Sequence, residues 1–395
     1  MKNARSAGIF HPVTIARVGE ETVIVRNGKL FMNGKFIEGP DVRVFNGQIH
    51  EIGYKLEAGL YEQIADVQGD VILPGFVDVH IHAFRQHDTM QGENAVRAMC
   101  RDLYREGVSA FCPTTMSASV SETRNAVTGI RSVMDRPEIN GCRVLGAHME
   151  APFLQAAKAG AQRKEFFMNP SVESFMEMTD HHPETVRLMT VAPELEGAEM
   201  FIRAVTAIGV HISIGHTSAT AEQVHAAGDW GADHITHTFN AQTPLVHRAP
   251  GVPGAALSDD RFYCELICDN VHLHRDIVRM IAKCKGPDHA VAITDAMEAA
   301  GMPDGEYALG GQAVFVRGNE ARLKDGTLAG SVLTMRKAFE NLVHVFGLSP
   351  EQAASMCTQA PADSIGEKAA GRLIAGAPAP LTRWTKEYKF VGIID

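Results

Sequence analysis

The chain has 395 residues, 45% of them hydrophobic and 21% charged, with a formal net charge of −10. That is a globular composition, and the length suits one large barrel plus an accessory piece. The acidic balance and scattered basic residues argue against a general nucleic-acid binder, but leave room for a local basic pocket that takes a small anion. The seven cysteines (Cys100, Cys112, Cys142, Cys264, Cys268, Cys284 and Cys357) are odd in number and irregularly spaced. This speaks against a disulfide framework and for a reducing cytoplasm. No apolar leader follows the basic residues at the N-terminus, and no run approaches membrane-spanning length, so neither a signal peptide nor a membrane partner is expected.

In chain order, residues 1–73 read as short strands and turns. Thr22–Arg26, Lys29–Phe31 and Val42–Val44 are punctuated by Asn27-Gly28, Asn33-Gly34 and Asn46-Gly47. Asn-Gly steps between apolar runs are hairpin signals. From Pro74 the rhythm changes. Apolar runs at Val77–His82, Ser109–Thr114, Arg143–His148, Leu188–Ala192, His211–His216, His234–Thr238, Cys264–Asp269 and Ala290–Asp295 alternate with amphipathic, helix-like stretches. Eight strand–helix alternations predict an α/β fold closed as a (β/α)8 TIM-like barrel, with an open doubly wound sheet as the alternative. No G-x-G-x-x-G follows the first run, so a dinucleotide site is not supported. Beyond Gly371 the sequence turns β-like again at Leu381–Trp384 and Tyr388–Ile394. The expected domains are therefore a small β-sandwich from 1–73 plus 372–395 and a catalytic barrel over 74–371.

Chemistry collects at the C-terminal ends of the runs, which in a barrel form one rim. His80 and His82 lie two residues apart on a strand and share a side. Alone, such a pair is more often satisfied by hydrogen bonds than by a metal. Yet Glu150, His216, His237 and Asp295 end four other runs at the matching position. Six imidazoles and carboxylates on five strand ends predict a divalent metal centre with open positions, holding one or two ions. Zinc stands first, and iron, manganese or cobalt also suit these ligands. Water bound to such a cation loses a proton near neutral pH, and Asp295 is placed to act as base and then acid. Cys264 and Cys268, four apart, read as small buried hydrophobes.

These residues also carry a resemblance. The PGFVDVHIH stretch looks like the start of an amidohydrolase barrel. More narrowly, HMEAPF with KAGAQ, GHTSAT, THTFNA with HRAPG, ICDNVH, AITDAMEAAGMPDGEY and GTLAGS resemble, in order, the N-acetylglucosamine-6-phosphate deacetylase family, including members acting on the galactosamine epimer. The resemblance implies a hydrolase that removes acetate from an N-acetyl-hexosamine 6-phosphate. It implies Glu150, His216 and His237 as ligands of the main metal, and His80 and His82 as the pair for a second. Glu150 would bridge the two, and Asp295 would be base and acid. For the sugar phosphate it implies Gln162, Asn240, Ala241, Arg248, His272, Leu328, Ala329 and Gly330, with Arg248 reaching across a homodimer interface. The fourth run ends Val191-Ala192-Pro193-Glu194, without the lysine that bridges metals in other amidohydrolase branches.

The chain departs from the family pattern at Ala151, Gln242, Ala249 and Pro380, and at Ala83-Phe84, where a bulky ring is expected near the pocket mouth. None of these removes a ligand or the base, but they leave the exact substrate open. Glucosamine, galactosamine or another N-acyl amino compound without phosphate would each fit. A barrel repurposed for binding alone should have lost ligands, and all six are here.

Overall fold

The computed structural model describes residues 22–138 and 141–394. The start of the chain, read above for a leader and as the first part of the small domain, lies outside them. At the centre is one parallel sheet whose strands follow chain order. They are β1 (Phe76–Ile81), β2 (Val108–Thr115), β3 (Ala147–Met149), β4 (Val186–Val191), β5 (His211–Ile214), β6 (His234–Ile235), β7 (Tyr263–Ile267) and β8 (Ala290–Ile293). Arg143–Val144 also pairs with β2 and forms the first part of the third strand, interrupted at Leu145-Gly146. Nearly every strand residue is buried. This explains why the runs are continuously apolar and do not alternate: in a parallel sheet, helices cover one face and the barrel core fills the other. A helix follows each strand, beginning with Glu93–Arg105 after β1 and ending with Met335–His344 after β8. The TIM-like barrel expected from the sequence is therefore present.

The seam between β8 and β1 is joined by the Asp78 side chain and by a backbone hydrogen bond. Asp78, fully buried in β1, accepts Thr294 Oγ1–H at 2.6 Å and Thr294 N–H at 3.3 Å. The Asp295 N–H donates to the His80 carbonyl at 2.8 Å. The one acid inside PGFVDVHIH thus draws the first and last strands together where two candidate site residues emerge.

Two further sheets stand outside the barrel. One runs in the order Gln48–Tyr54, Pro40–Phe45, Thr22–Arg26, Gln63–Asp66. The other runs Phe390–Ile394, Leu381–Trp384, Val71–Pro74, Lys29–Met32, Lys35–Glu38, so it unites strands from both ends of the chain. Asn33-Gly34 and Asn46-Gly47 are tight hairpin turns. They join Met32 to Lys35 and Phe45 to Gln48, and all four turn residues have positive φ. That is the geometry for which Asn-Gly is suited. Asn27-Gly28 departs from the hairpin expectation: it carries the chain from one sheet to the other.

A three-stranded meander, Gly305–Leu309, Gln312–Arg317 and Glu320–Leu323, sits between β8 and its helix and was not anticipated. Trp384 ties the terminal sheet to the barrel. Fully buried, it packs at ring-centroid distances of 4.6 Å from Phe339, 5.2 Å from Phe390 and 6.1 Å from Phe76. Trp384→Ala should cost about 3–5 kcal/mol of stability through the cavity it leaves. The check is a lowered thermal midpoint of the full chain.

Candidate metal centre

Six side chains converge at the C-terminal mouth of the barrel. Glu150 stands in the middle. On one side, its Oε1 lies 3.1 Å from both His216 Nε2 and His237 Nε2, which are 3.0 Å from each other. Three donor atoms with edges of this length form the face of a tetrahedron around a cation at about 2 Å. The His216 Nδ1–H donates to the Lys158 carbonyl at 2.8 Å, because a carbonyl can only accept. Its Nε2 is therefore the nitrogen turned toward the cluster, where a cation would take it.

On the other side, His82 Nε2 lies 3.2 Å from Glu150 Oε2 and 3.2 Å from Asp295 Oδ1. His80 Nε2 lies 3.5 Å from Glu150 Oε1 and 3.7 Å from Asp295 Oδ1. The His82 Nδ1–H is directed at the Thr114 carbonyl, at 3.3 Å. His80 Nε2 is buried without a hydrogen-bond partner, which an acceptor atom facing a cation would be. Glu150 with His216 and His237, and Glu150 with His80 and His82, are each spaced to hold a metal ion. The residues thus fit one or two divalent cations that share Glu150.

The electrostatics agree. Burial opposes ionisation of Glu150, but the charge of His80 and hydrogen bonds from His216, His237 and His82 hold its carboxyl well below the usual carboxylate range. Burial likewise raises Asp295, and His80 and His82 outweigh it, keeping that carboxyl below its ordinary value. Burial lowers His80, yet Glu265, Glu150 and Asp295 lift it to about 9. The negative potential that draws protons onto these imidazoles is the potential that would draw a divalent cation.

The backbone is bent to deliver these groups. His216, His237 and Asp295 leave their strands with φ of 44°, 26° and 50°. Such conformations are sparsely populated by residues with side chains and cluster at functional sites. Gly215 makes room for the first of them, since a Cβ there would lie 2.5 Å from the Thr236 Cβ. Gln242 braces the second. Its Oε1 accepts Phe239 N–H at 3.0 Å and its Nε2–H donates to the Thr236 carbonyl at 2.8 Å, so this departure from the family pattern clamps the loop after β6.

A cavity of about 500 Å³ opens above the cluster. Gln162, Asn240, Ala241, His272, Leu328 and Gly330 all line it, as do His82, Glu150, His216, His237 and Asp295. Gln162 Nε2–H donates to Glu150 Oε2 at 2.5 Å. Asp269 Oδ2 accepts His272 Nδ1–H at 2.6 Å and so orients that ring. His80 is fully buried beneath His82, and Ala329 is buried behind Leu328. Arg248 is not brought to the cavity within this chain: it lies on the exposed stretch 244–250. Phe84 corrects an expectation. It is 1% exposed and packs in the barrel core, away from the cavity mouth. Ala83–Phe84 forms a short strand paired with His87–Asp88, and the Phe84 ring is buried among apolar neighbours, where burial of its surface is favourable.

Three residues on the site were not picked out from the sequence. Lys158 and Arg322 bring cations to the cavity wall. Glu265, fully buried on β7, accepts His80 Nδ1–H at 2.9 Å. The signal for Glu265 was a charged residue inside an otherwise apolar strand.

Comparison with known proteins agrees with this geometry. The amidohydrolase family model matches residues 71–393. The chain is 34% identical over 359 residues to an N-acetylglucosamine-6-phosphate deacetylase of Lysinibacillus sphaericus, covering 91% of this chain and 92% of the relative. It is 32% identical over 346 residues to an N-acetylgalactosamine-6-phosphate deacetylase of Escherichia coli O157:H7, covering 87% and 90%. Among solved structures, a mutant N-acetyl-D-glucosamine-6-phosphate deacetylase of Mycobacterium smegmatis, in complex with N-acetyl-D-glucosamine-6-phosphate, matches with a TM-score of 0.85 at 28% identity, covering 95% of this chain and 97% of that one. With its barrel, its rim of imidazoles and carboxylates and these matches, the chain belongs to the amidohydrolase family, in the group that holds the N-acetylhexosamine-6-phosphate deacetylases.

Proposed function

We propose that this protein hydrolyses the acetamide of N-acetylglucosamine 6-phosphate, releasing acetate and the amino-sugar phosphate. The observation that carries the reading is Glu150 set between His216 and His237 on one side and His80, His82 and Asp295 on the other, at the floor of a cavity of about 500 Å³. Relatives spanning about nine-tenths of the chain carry that activity in their names.

A divalent cation held by these residues would polarise the acetamide carbonyl and acidify water. Zinc is the ion we favour for this all-imidazole-and-carboxylate set. The chain's own part is then specific. Asp295, ionised and facing the cavity, takes a proton from the attacking water and delivers it to the departing amine. His272, its ring fixed by the Nδ1–H bond to Asp269, stands on the cavity wall as a substrate-binding residue. Asn240 and the backbone at Ala241 hold phosphate oxygens. Leu328, Ala329 and Gly330 bring backbone against the sugar.

We assign Arg248 to the phosphate of a neighbouring subunit in a homodimer, as the family resemblance implies; its exposed position on the stretch 244–250 is compatible with that. The seven free cysteines, all but Cys284 buried, suit a reducing cytoplasm. Arg248→Ala should raise KM for the sugar phosphate about 10- to 100-fold with kcat little changed, the loss of a charge-assisted hydrogen bond. KM for an unphosphorylated N-acyl sugar should not move, and steady-state kinetics on both substrates decide it. Assaying the glucosamine and galactosamine epimers side by side tests the sugar. The proposal expects the glucosamine epimer to have the higher kcat/KM, and the reverse order would reassign the substrate.

A further inference from the structure

Glu265 stands directly behind the metal centre. One of its oxygens, Oε2, accepts two hydrogen bonds at once: His80 Nδ1–H at 2.9 Å and the backbone N–H of His237 at 2.9 Å. Its main-chain carbonyl accepts Thr238 N–H at 2.9 Å, which closes the other side of the same turn. The carboxylate is 0% exposed, so no water competes for these bonds. Its second oxygen lies 3.3 Å from Nε2 of the equally buried His234.

Two consequences follow from donor and acceptor chemistry. An ionised carboxylate offers only acceptors, so His80 must turn its Nδ1–H toward Glu265. Nε2, the unpartnered atom that faces Glu150 and Asp295, is then the nitrogen left for a bound cation to take in place of its proton. The bond to His237 N–H anchors a residue held at φ 26°, a conformation that persists only where the surroundings enforce it. His80 belongs to one half of the centre and His237 to the other, and a single oxygen restrains both.

We infer that Glu265 is a positioning residue that sets the His80 tautomer and the His237 turn together, and so links the two halves of the metal centre. The inference rests on the reading of His80 and His237 as metal ligands. What matters is the acceptor atom at the Oε2 position. Gln can supply that atom through its amide oxygen, with its NH2 turned toward His234, whereas Met of similar size cannot.

The test is metal titration of the purified full chain with zinc, for the wild type, Glu265→Gln and Glu265→Met, beside metal analysis of each. Glu265→Met should bind its zinc about 10- to 100-fold more weakly, the usual effect of removing a partner that orients a ligand, and Glu265→Gln should recover most of the affinity. Wild-type affinity in Glu265→Met would overturn the inference, as would equal losses in both variants, which would make charge the requirement. Should Glu265→Met fail to fold, 15N spectra of the histidines in zinc-loaded wild type decide. The proton of His80 is expected on Nδ1, and a proton on Nε2 would overturn the assignment. Wild-type protein that binds no zinc would instead bring down the metal reading, and the inference with it.

Discussion

Asp295→Asn is expected to leave a folded protein whose kcat on N-acetylglucosamine 6-phosphate is lower by about 10²- to 10⁴-fold, the range for loss of a general acid–base group. The side chain is 7% exposed and sits just past β8, with its N–H bonded to the His80 carbonyl at 2.8 Å and its own carbonyl accepting Ser331 N–H at 2.7 Å. Asparagine keeps that backbone and nearly the same shape, so the fold should be intact. It cannot take a proton from water or return one to an amine. The loss should therefore appear in kcat, with the thermal midpoint close to wild type. Metal analysis of the variant separates the two duties of Asp295. Retained metal with lost turnover assigns proton transfer, and wild-type turnover would refute the mechanism.

Glu150→Ala should have the larger effect on metal. Glu150 Oε1 holds His216 and His237 at 3.1 Å, and Oε2 faces His82 at 3.2 Å. Its removal leaves four imidazoles and one carboxylate, Asp295, to hold a cation. Metal should fall below one equivalent per chain, and activity should drop by about 10³-fold or more, since a metal supplies several kcal/mol of transition-state stabilisation at tenfold per 1.36 kcal/mol. Metal-to-protein ratios and acetate release measured on the same preparation check both. A variant that kept its metal and its rate would remove Glu150 from the centre.

Much of this site was legible in the sequence because a barrel gathers its strand ends. Once Val77–His82 and its successors were read as buried parallel strands, the residue type at each C-terminal end carried the meaning, and His82, Glu150, His216, His237 and Asp295 do line one cavity. Glu265 was passed over for a physical reason. It lies within its strand, and its function depends on which neighbour β7 faces. Only the fold reveals that the neighbours are His80 and His237.

The meander over 305–323 was missed although its turns, Gly310-Gly311 and Gly318-Asn319, are two-residue hairpin signals. The strong strand–helix rhythm around it drew the segment into the barrel. Phe84 was misplaced because chain proximity to His82 says nothing about direction: two residues past the metal rim, the chain has already turned back into the core. Arg248 marks a further boundary. If its partner is the phosphate in another subunit's cavity, no reading of one chain can bring the two together.

The central claim, metal-dependent deacetylation of a hexosamine phosphate, is tested most directly by acetate release. Purified chain is stripped with a chelator, reloaded with zinc and given N-acetylglucosamine 6-phosphate. The account predicts no turnover in the stripped protein. It predicts restored turnover on reloading, with one acetate and one free amine formed per substrate consumed. Zinc-loaded protein that released no acetate, or stripped protein that released it at the same rate, would contradict the account.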